Sequence, residues 1–343
     1  MYKDFARLVS LLFLAAILLG FSSTIYATGL VKGIYLTQET AENTSYIKYL
    51  IHQCKAVGIT TMVVDVEIPS KQLQNNVALI KSNHLNYVAR VIVFPDGGKP
   101  EQIASQAYWE KRYKLVKAGI DYGATEIQLD YIRYSSKQKA SPENAKNILK
   151  VAQWFKQKLK EEKIPLQLDI FGIASFGESK NIGQNVRLLA QAADVLCPML
   201  YPSHFDPYLE HARTPYETIL NALNAIREQF DYEIPVKIYA YIELSNYRYP
   251  LSGAKRTAYI QAQIKAVKDA HIDGWYAWSA HNKYEYLFHI LEAENKMPQD
   301  PLHRILEAHA KVKNNENTAM PLAYFNSNND PRMWPLTARY FVY

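Results

Sequence analysis

Acidic residues recur at or near the ends of β-rich, mostly apolar runs of this 343-residue chain: Asp65 and Glu67 in TTMVVDVEI, Asp130 in EIQLDYIRY, Asp169 in LQLDIFGI and Glu243 in PVKIYAYIE. A carboxyl group in such a run is costly to bury unless it has a partner or a chemical task. Asp130 and Asp169 sit toward the ends of consecutive predicted strands, and neighbouring strands lie about 4.8 Å apart. Their carboxyls can therefore approach to roughly 5–6 Å, the spacing at which one protonates a leaving oxygen while the other attacks from the opposite side. That is the geometry of retaining glycoside hydrolysis. Asp130 is read as the nucleophile and Asp169 as the general acid/base. The roles can be exchanged, and Asp65 or Glu243 can replace either. The plainer reading is an ion pair between Asp130 and Arg133, and another buried pair at Asp65.

Arg133 follows Asp130 by three residues and could hold a carboxylate in its ionised form. The run Met199-Leu200-Tyr201-Pro202-Ser203-His204 closes another strand, bracketed by Pro198 and Pro202. Proline removes a ladder donor and marks a strand end. Tyr201 and His204 would then project beyond the sheet, His204 to bind a hydroxyl or move a proton. Trp278 ends the last predicted strand and offers a stacking face for a sugar ring, with Asn282 and Tyr284 just beyond it. Trp275 reads as core filling. Asp65, Arg133, Tyr201, His204, Glu243, Trp278 and Asn282 are thus the candidate substrate-binding residues. No second histidine pairs with His204 at metal spacing, so neither a metal nor a cofactor is expected. The sequence has no P-loop, G-x-G-x-x-G, G-x-S-x-G or H-E-x-x-H motif. The segments after strands 7 and 8, LSNYRYPLSG and SAHNKY, do not read as phosphate loops.

The elements that must position these residues alternate. Strands are read at 30–37, 60–68, 87–95, 126–134, 166–173, 193–201, 235–243 and 273–279, with starts 27 to 42 residues apart. Each interval has room for one helix and two loops. Helices are predicted at 45–57 (capped by Asn43 or Thr44 and stopped by Gly58), 107–119, 142–162 (Ser141 cap, Pro142 in the first turn), 183–192, 215–229, 257–270 and 284–294. The helix at 72–82 has the faintest pattern. Eight βα units in succession predict an α/β fold, a single-domain (β/α)₈ TIM barrel, whose strand C-terminal ends form the active face.

With 48% hydrophobic and 21% charged residues, the chain is globular in composition. Its net charge of +6, from 39 basic and 33 acidic residues, is scattered, so no nucleic-acid partner is expected. The 26 tyrosines suit sugar contact, although barrel packing accounts for most of them. Lys3 and Arg7 precede an apolar run from Leu8 to Phe21 and a small-residue stretch ending at Ala27, the order of a secretory signal. Residues 1–27 are read as that signal, 28–295 as the barrel, and 296–343 as a C-terminal helix and irregular tail. The protein is then periplasmic or secreted, or membrane-associated through an uncleaved N-terminal segment. Cys54 and Cys197 read as buried small hydrophobes, not as a bridge or a nucleophile.

The segments LDYIRYSS (129–136), LDIFGI (168–173), IGQNV (182–186), DVLCPMLYPSHF (194–205) and DGWYAWSAHNKY (273–284) resemble, in order, the bacterial "putative glycoside hydrolase domain" family. These are exported TIM-barrel proteins distantly related in fold to α-amylase-like and α-galactosidase-like hydrolases, and the resemblance runs from Val31 to Tyr286. It implies a glycan substrate outside the cytoplasm. It also implies a nucleophile on strand 4, where Asp130 stands. The family's second-strand Asp-x-Lys-Asp is here Asp65-Val66-Glu67-Ile68, so that only Asp65 carries over, and around strand 7 the chain reads YAYIELSNY, which carries no family role over to Glu243. The expected activity is cleavage of an oligo- or polysaccharide by two carboxylates. The alternatives are a non-catalytic glycan-binding barrel of the cell envelope and another exported barrel hydrolase.

Overall fold

A computed structural model describes residues 29–296. The predicted signal at 1–27 and the tail beyond Lys296 lie outside the described residues. Eight strands, β1 (Val31–Leu36), β2 (Thr61–Asp65), β3 (Asn86–Ile92), β4 (Glu126–Asp130), β5 (Leu166–Phe171), β6 (Val195–Met199), β7 (Lys237–Glu243) and β8 (Gly274–Trp278), form one sheet. Every neighbouring pair is parallel, and β1 pairs with β8 to close the barrel. The expected (β/α)₈ architecture is therefore the one observed.

The helices form where cap and periodicity agree. Helix Thr44–Val57 starts on Asn43, whose side chain accepts from Tyr46 N, and stops at Gly58 with φ +74°. Helix Pro142–Glu162 starts on Ser141 with proline in its first turn. The faint pattern after β2 makes a regular helix, Lys71–Ser82, because Ser70 caps it and Leu73, Val77 and Ile80 bury one face. The helix expected at 183–192 shrinks to Val186–Leu189. Gly183 has φ +72°, outside helical geometry, and Asn185 is the actual cap. Short helices at Gln38–Glu42, Pro100–Ile103 and Tyr208–Arg213 were not legible.

β2, β3 and β4 end three or four residues before their predicted runs, and the first and last of these shortenings bear on the carboxylates. β4 stops at Asp130 because Tyr131 takes φ +52°, which no strand accommodates. β2 stops at Asp65: Val66 N still donates to the Arg90 carbonyl at 2.8 Å, but the donors after it, Glu67 N and Ile68 N, are taken by Gln38 Oε1 at 2.7 and 3.1 Å. Both shortenings place an aspartate at the true end of its strand.

The pleat sends Tyr35, Val63, Val88, Cys197, Tyr239, Tyr241 and Tyr276 into the barrel interior. These tyrosines fill the core, as composition suggested, and the hydroxyls of Tyr35, Tyr241 and Tyr276 are hydrogen-bonded. Tyr241 OH donates to Gln128 Oε1 at 2.7 Å, Gln128 Nε2 to Gln167 Oε1 at 2.9 Å, and Gln167 Nε2 to Tyr276 OH at 3.0 Å. Cys54 and Cys197 are both buried free thiols. Among the described residues no helix is long and apolar enough to cross a membrane.

Gly172 opens the turn after β5 and packs tightly. A Cβ there would lie 2.5 Å from the Phe205 ring and 2.7 Å from the Met199 carbonyl oxygen. Gly172→Ala is expected to cost about 1–3 kcal/mol of stability, since the β6 backbone cannot yield as a flexible side chain would. Urea unfolding checks it; a loss under a few tenths of a kcal/mol would show that Phe205 simply moves aside.

Candidate active site

Strand register brings three aspartates around one arginine. Asp65 and Arg90 are Cα partners across β2 and β3. Arg90 is the partner of Gln128 on β4, and Gln128 that of Gln167 on β5. Asp130 and Asp169 each stand two residues beyond those glutamines, on the same inward face. The Arg90 guanidinium consequently meets all three carboxylates: Nη1 donates to Asp65 Oδ1, Nη2 to Asp130 Oδ2, and Nε to Asp169 Oδ2 at 3.3 Å. Tyr35 OH donates to the other Asp65 oxygen at 2.5 Å, and the Arg90 guanidinium lies 5.2 Å from the Tyr35 ring centroid.

Arg90 has no place in the sequence-based site, although a signal existed. It is the one charged residue of β3, with the same inward parity as Val88. A guanidinium in the middle of a buried strand demands acidic partners. Arg133, expected to be the guanidinium at Asp130, does something else. It lies 4.5 and 4.9 Å from the Phe171 and Tyr131 ring centroids and donates from Nη1 to the Tyr134 carbonyl. The reason is the left-handed turn at Tyr131, which breaks the strand between Asp130 and Arg133.

The three carboxyls are not equivalent. Both Asp130 oxygens accept, one from Arg90 and one from the Tyr131 backbone N–H. Asp169 Oδ1 is buried with no hydrogen-bond partner in the protein. Burial, and then the Asp130 charge beside it, push the Asp169 carboxyl well above the ordinary carboxylate range. Burial raises Asp65 as well, against the pull of Arg90. Three ionised aspartates against one guanidinium would leave a net charge of −2 in a dry site, so a bound proton is expected, and Asp169 is the carboxyl placed to hold it.

Glu243 lies apart from this cluster. It ends β7 and accepts from Ser203 N (2.8 Å), Ser203 Oγ (2.6 Å) and Tyr259 OH (2.5 Å). Its carboxylate thus pins the turn Pro202–His204, which follows Tyr201. Burial lifts its pKa to about 7, although the three donors pull the other way. Unfolded Glu243 loses its proton near pH 4.5 while the folded residue keeps it to about pH 7, so its contribution to stability is full below pH 4.5 and declines across that window. Glu243→Gln, which cannot ionise, should remove this decline. The wild type is expected to lose on the order of 3 kcal/mol relative to the variant between pH 4.5 and 7.5. Urea unfolding at both pH values tests it; an unchanged difference would show that Glu243 does not titrate there.

Tyr201 stacks on Trp278 with centroids 4.9 Å apart and planes at 25°, and Tyr247 packs on Trp278 at 4.9 Å. The His204 ring lies 5.3 Å from Tyr201. Burial and the nearby Arg248 charge lower its pKa to about 4. The imidazole is therefore neutral at pH 7, a state suited to hydrogen bonding with a hydroxyl. Asn282 is a clamp between loops: its Oδ1 accepts from Thr37 N (2.9 Å) and Thr37 Oγ1 (3.1 Å), and its Nδ2 donates to the Ser279 carbonyl (3.0 Å).

Two clefts open at this end of the barrel. One, of about 570 Å³, is lined by Arg133, Phe171, Phe176, Tyr201, His204 and Phe205 among others. The other, of about 840 Å³, is polar and includes Thr37, Glu39, Glu67, His281 and Asn282. No group of three or more metal-ligating side chains arranged for a metal occurs among the described residues.

A family described as "Putative glycosyl hydrolase domain" matches residues 101–284. Among solved structures, a class V chitinase from Pseudomonas fluorescens Pf-5 aligns with a TM-score of 0.58 at 13% identity, over 78% of this chain and all of its own. The spore cortex-lytic enzyme SleL of Bacillus megaterium QM B1551 aligns at 0.56 and 13%, over 76% of this chain and 73% of its own. The endo-β-1,4-mannanase of Thermotoga petrophila aligns at 0.51 and 13%, over 85% and 78%. At such identities these likenesses speak to the fold. No curated protein sequence matches the chain.

Proposed function

This chain belongs to the putative glycosyl hydrolase domain family, and from that premise we propose that Asp169 and Asp130 are the acid and the nucleophile of its glycosidase reaction. Asp169 delivers its proton to the glycosidic oxygen as that bond breaks, and an Asp130 oxygen bonds to the anomeric carbon. The Asp169 carboxylate then takes a proton from water as that water displaces Asp130, which restores both groups. The observation that carries this reading is the shared guanidinium. Arg90 touches both carboxylates, which supports the close spacing of a retaining pair over the 6.5–9.5 Å that leaves room for a water. Arg90 also offsets the charge left when Asp169 gives up its proton, and Asp65 with Tyr35 holds Arg90 in place.

The substrate in this reading is an extracytoplasmic oligo- or polysaccharide, and the protein is exported by its N-terminal segment. The two clefts supply aromatic and polar surfaces for it, Tyr201 lining one of them; Trp278, expected to offer a stacking face, is 4% exposed with Tyr201 and Tyr247 packed on it. One observation favours the other reading, a glycan-binding barrel without turnover: Asp65, Asp130 and Asp169 are each no more than 2% exposed, as structural ion pairs would be. A sugar reaches them only when the side chains above part. Reducing-end release from chitin, mannan, cellulose and peptidoglycan by the purified protein separates the two. Release that disappears in Asp130→Asn and Asp169→Asn supports the hydrolase. Binding without release supports the binding module.

A further inference from the structure

The two clefts sit on opposite arcs of the barrel mouth. The aromatic one is built by segments following β4, β5 and β6, the polar one by segments following β8, β1 and β2. In a closed eight-stranded barrel with strands in sequence order, β5 and β1 are half a circumference apart. Between the clefts, Asp65, Arg90, Asp130 and Asp169 occupy the β2–β5 side, and Tyr201, Trp278 and Tyr247 form an aromatic wall on the β6–β8 side. Neither Asp130 nor Asp169 lines a cleft, but each cleft has a residue within electrostatic reach of the cluster: Tyr201 on the aromatic side feels the Asp169 and Asp130 charges, and Glu67 on the polar side those of Asp65 and Arg90.

We infer that the two clefts are the two ends of one groove, in which a chain of pyranoses with mainly equatorial substituents lies from the β5 side to the β1 side and is cut internally. The inference rests on the hydrolase reading for the cut but not for the binding. Phe176 is the feature that selects the ligand. It is 52% exposed at the outer end of the aromatic cleft and stands edge-on to Phe205, with centroids 6.0 Å apart and planes at 86°. Beside it Ile173 is 58% exposed. A half-exposed ring propped by a second ring presents a flat apolar face, and a pyranose with equatorial hydroxyls offers a matching C–H face. The aromatic cleft also carries Arg133, whose faces pack against Phe171 and Tyr131, together with His204, His211 and Asp206. Its remaining lining is mostly aromatic and apolar, which suits the C–H face of a sugar ring. The far cleft, lined by Thr37, Glu39, Glu67 and His281, offers mainly hydrogen-bonding groups, with Tyr46 as its aromatic ring.

The test uses the full chain carrying Asp130→Asn, with cellohexaose, chitohexaose and mannohexaose and their disaccharides as probes in calorimetric titration. One of the three hexasaccharides should bind at least about tenfold more tightly than its disaccharide, and Phe176→Ala should erase that advantage by removing one stacking contact. Phe176→Trp should restore it, which separates lost stacking from a misfolded turn. His281→Ala should weaken the hexasaccharide and leave the disaccharide unchanged. Equal binding of long and short probes, no binding of any probe, or a Phe176→Ala variant that keeps the length preference would each overturn the inference. With Asp130 restored, the first product from an end-labelled hexasaccharide should be mainly trimer, from a central cut; monomer with pentamer, or dimer with tetramer alone, from the outset would overturn internal cutting. Length-dependent binding with no bond cleavage would leave the groove standing and remove the hydrolase reading.

Discussion

Asparagine at Asp169 should lower glycan turnover by about 10²–10⁴-fold while the protein stays folded, the range set by losing one positioned proton donor. Asp169 offers an oxygen with no partner in the protein, and burial followed by the Asp130 charge keeps it protonated above the ordinary carboxylate range. Wild-type activity should therefore fall as pH rises through that raised pKa, and the alkaline limb should flatten in Asp169→Asn. Asp130→Asn should cost at least as much, because the amide forms no ester with the anomeric carbon. Added azide separates the roles. If Asp130 is the nucleophile, azide restores turnover of an activated glycoside in Asp130→Asn and gives a glycosyl azide of inverted configuration. In Asp169→Asn it gives the retained one. Turnover untouched by either substitution would remove both assignments and move attention to Asp65 and Glu243.

Arg90→Met should destabilise the fold by about 3–5 kcal/mol, the cost of leaving buried charge without its partner. The side chain is buried and meets three buried carboxylates, so its removal leaves Asp65, Asp130 and Asp169 facing one another. Adding Asp65→Asn should return part of the loss, a non-additivity expected of groups in one network. The penalty should also shrink in acid, where the carboxyls take up protons and need no cation. Urea unfolding of the single and double variants at pH 4 and pH 7 checks each statement. A loss below about 1 kcal/mol at pH 7 would show that water or rearrangement replaces the guanidinium.

How far the site was legible follows from the range of each interaction. Asp130 and Asp169 were found because a charged residue stands out in an apolar strand, and that contrast is local. Glu243 stood out for the same reason, yet its oxygens are taken by Ser203 and Tyr259, residues far from it in the chain. Asn282 likewise serves Thr37, at the opposite end of the barrel's sequence. Arg90 was overlooked because its meaning depends on three aspartates from three other strands.

By itself, the sequence determined the architecture. Alternating apolar runs and capped helical periods at 27- to 42-residue intervals specify βα units, and propensity, pleat and capping act over a few residues, so they can be read there. Only the tertiary structure decided which charges meet. A one-residue change in register or one left-handed residue turns a side chain to the other face. Tyr131, at φ +52°, did so between Asp130 and Arg133. Register across β2 to β5 then assembled Asp65, Arg90, Asp130 and Asp169 from positions up to 104 residues apart.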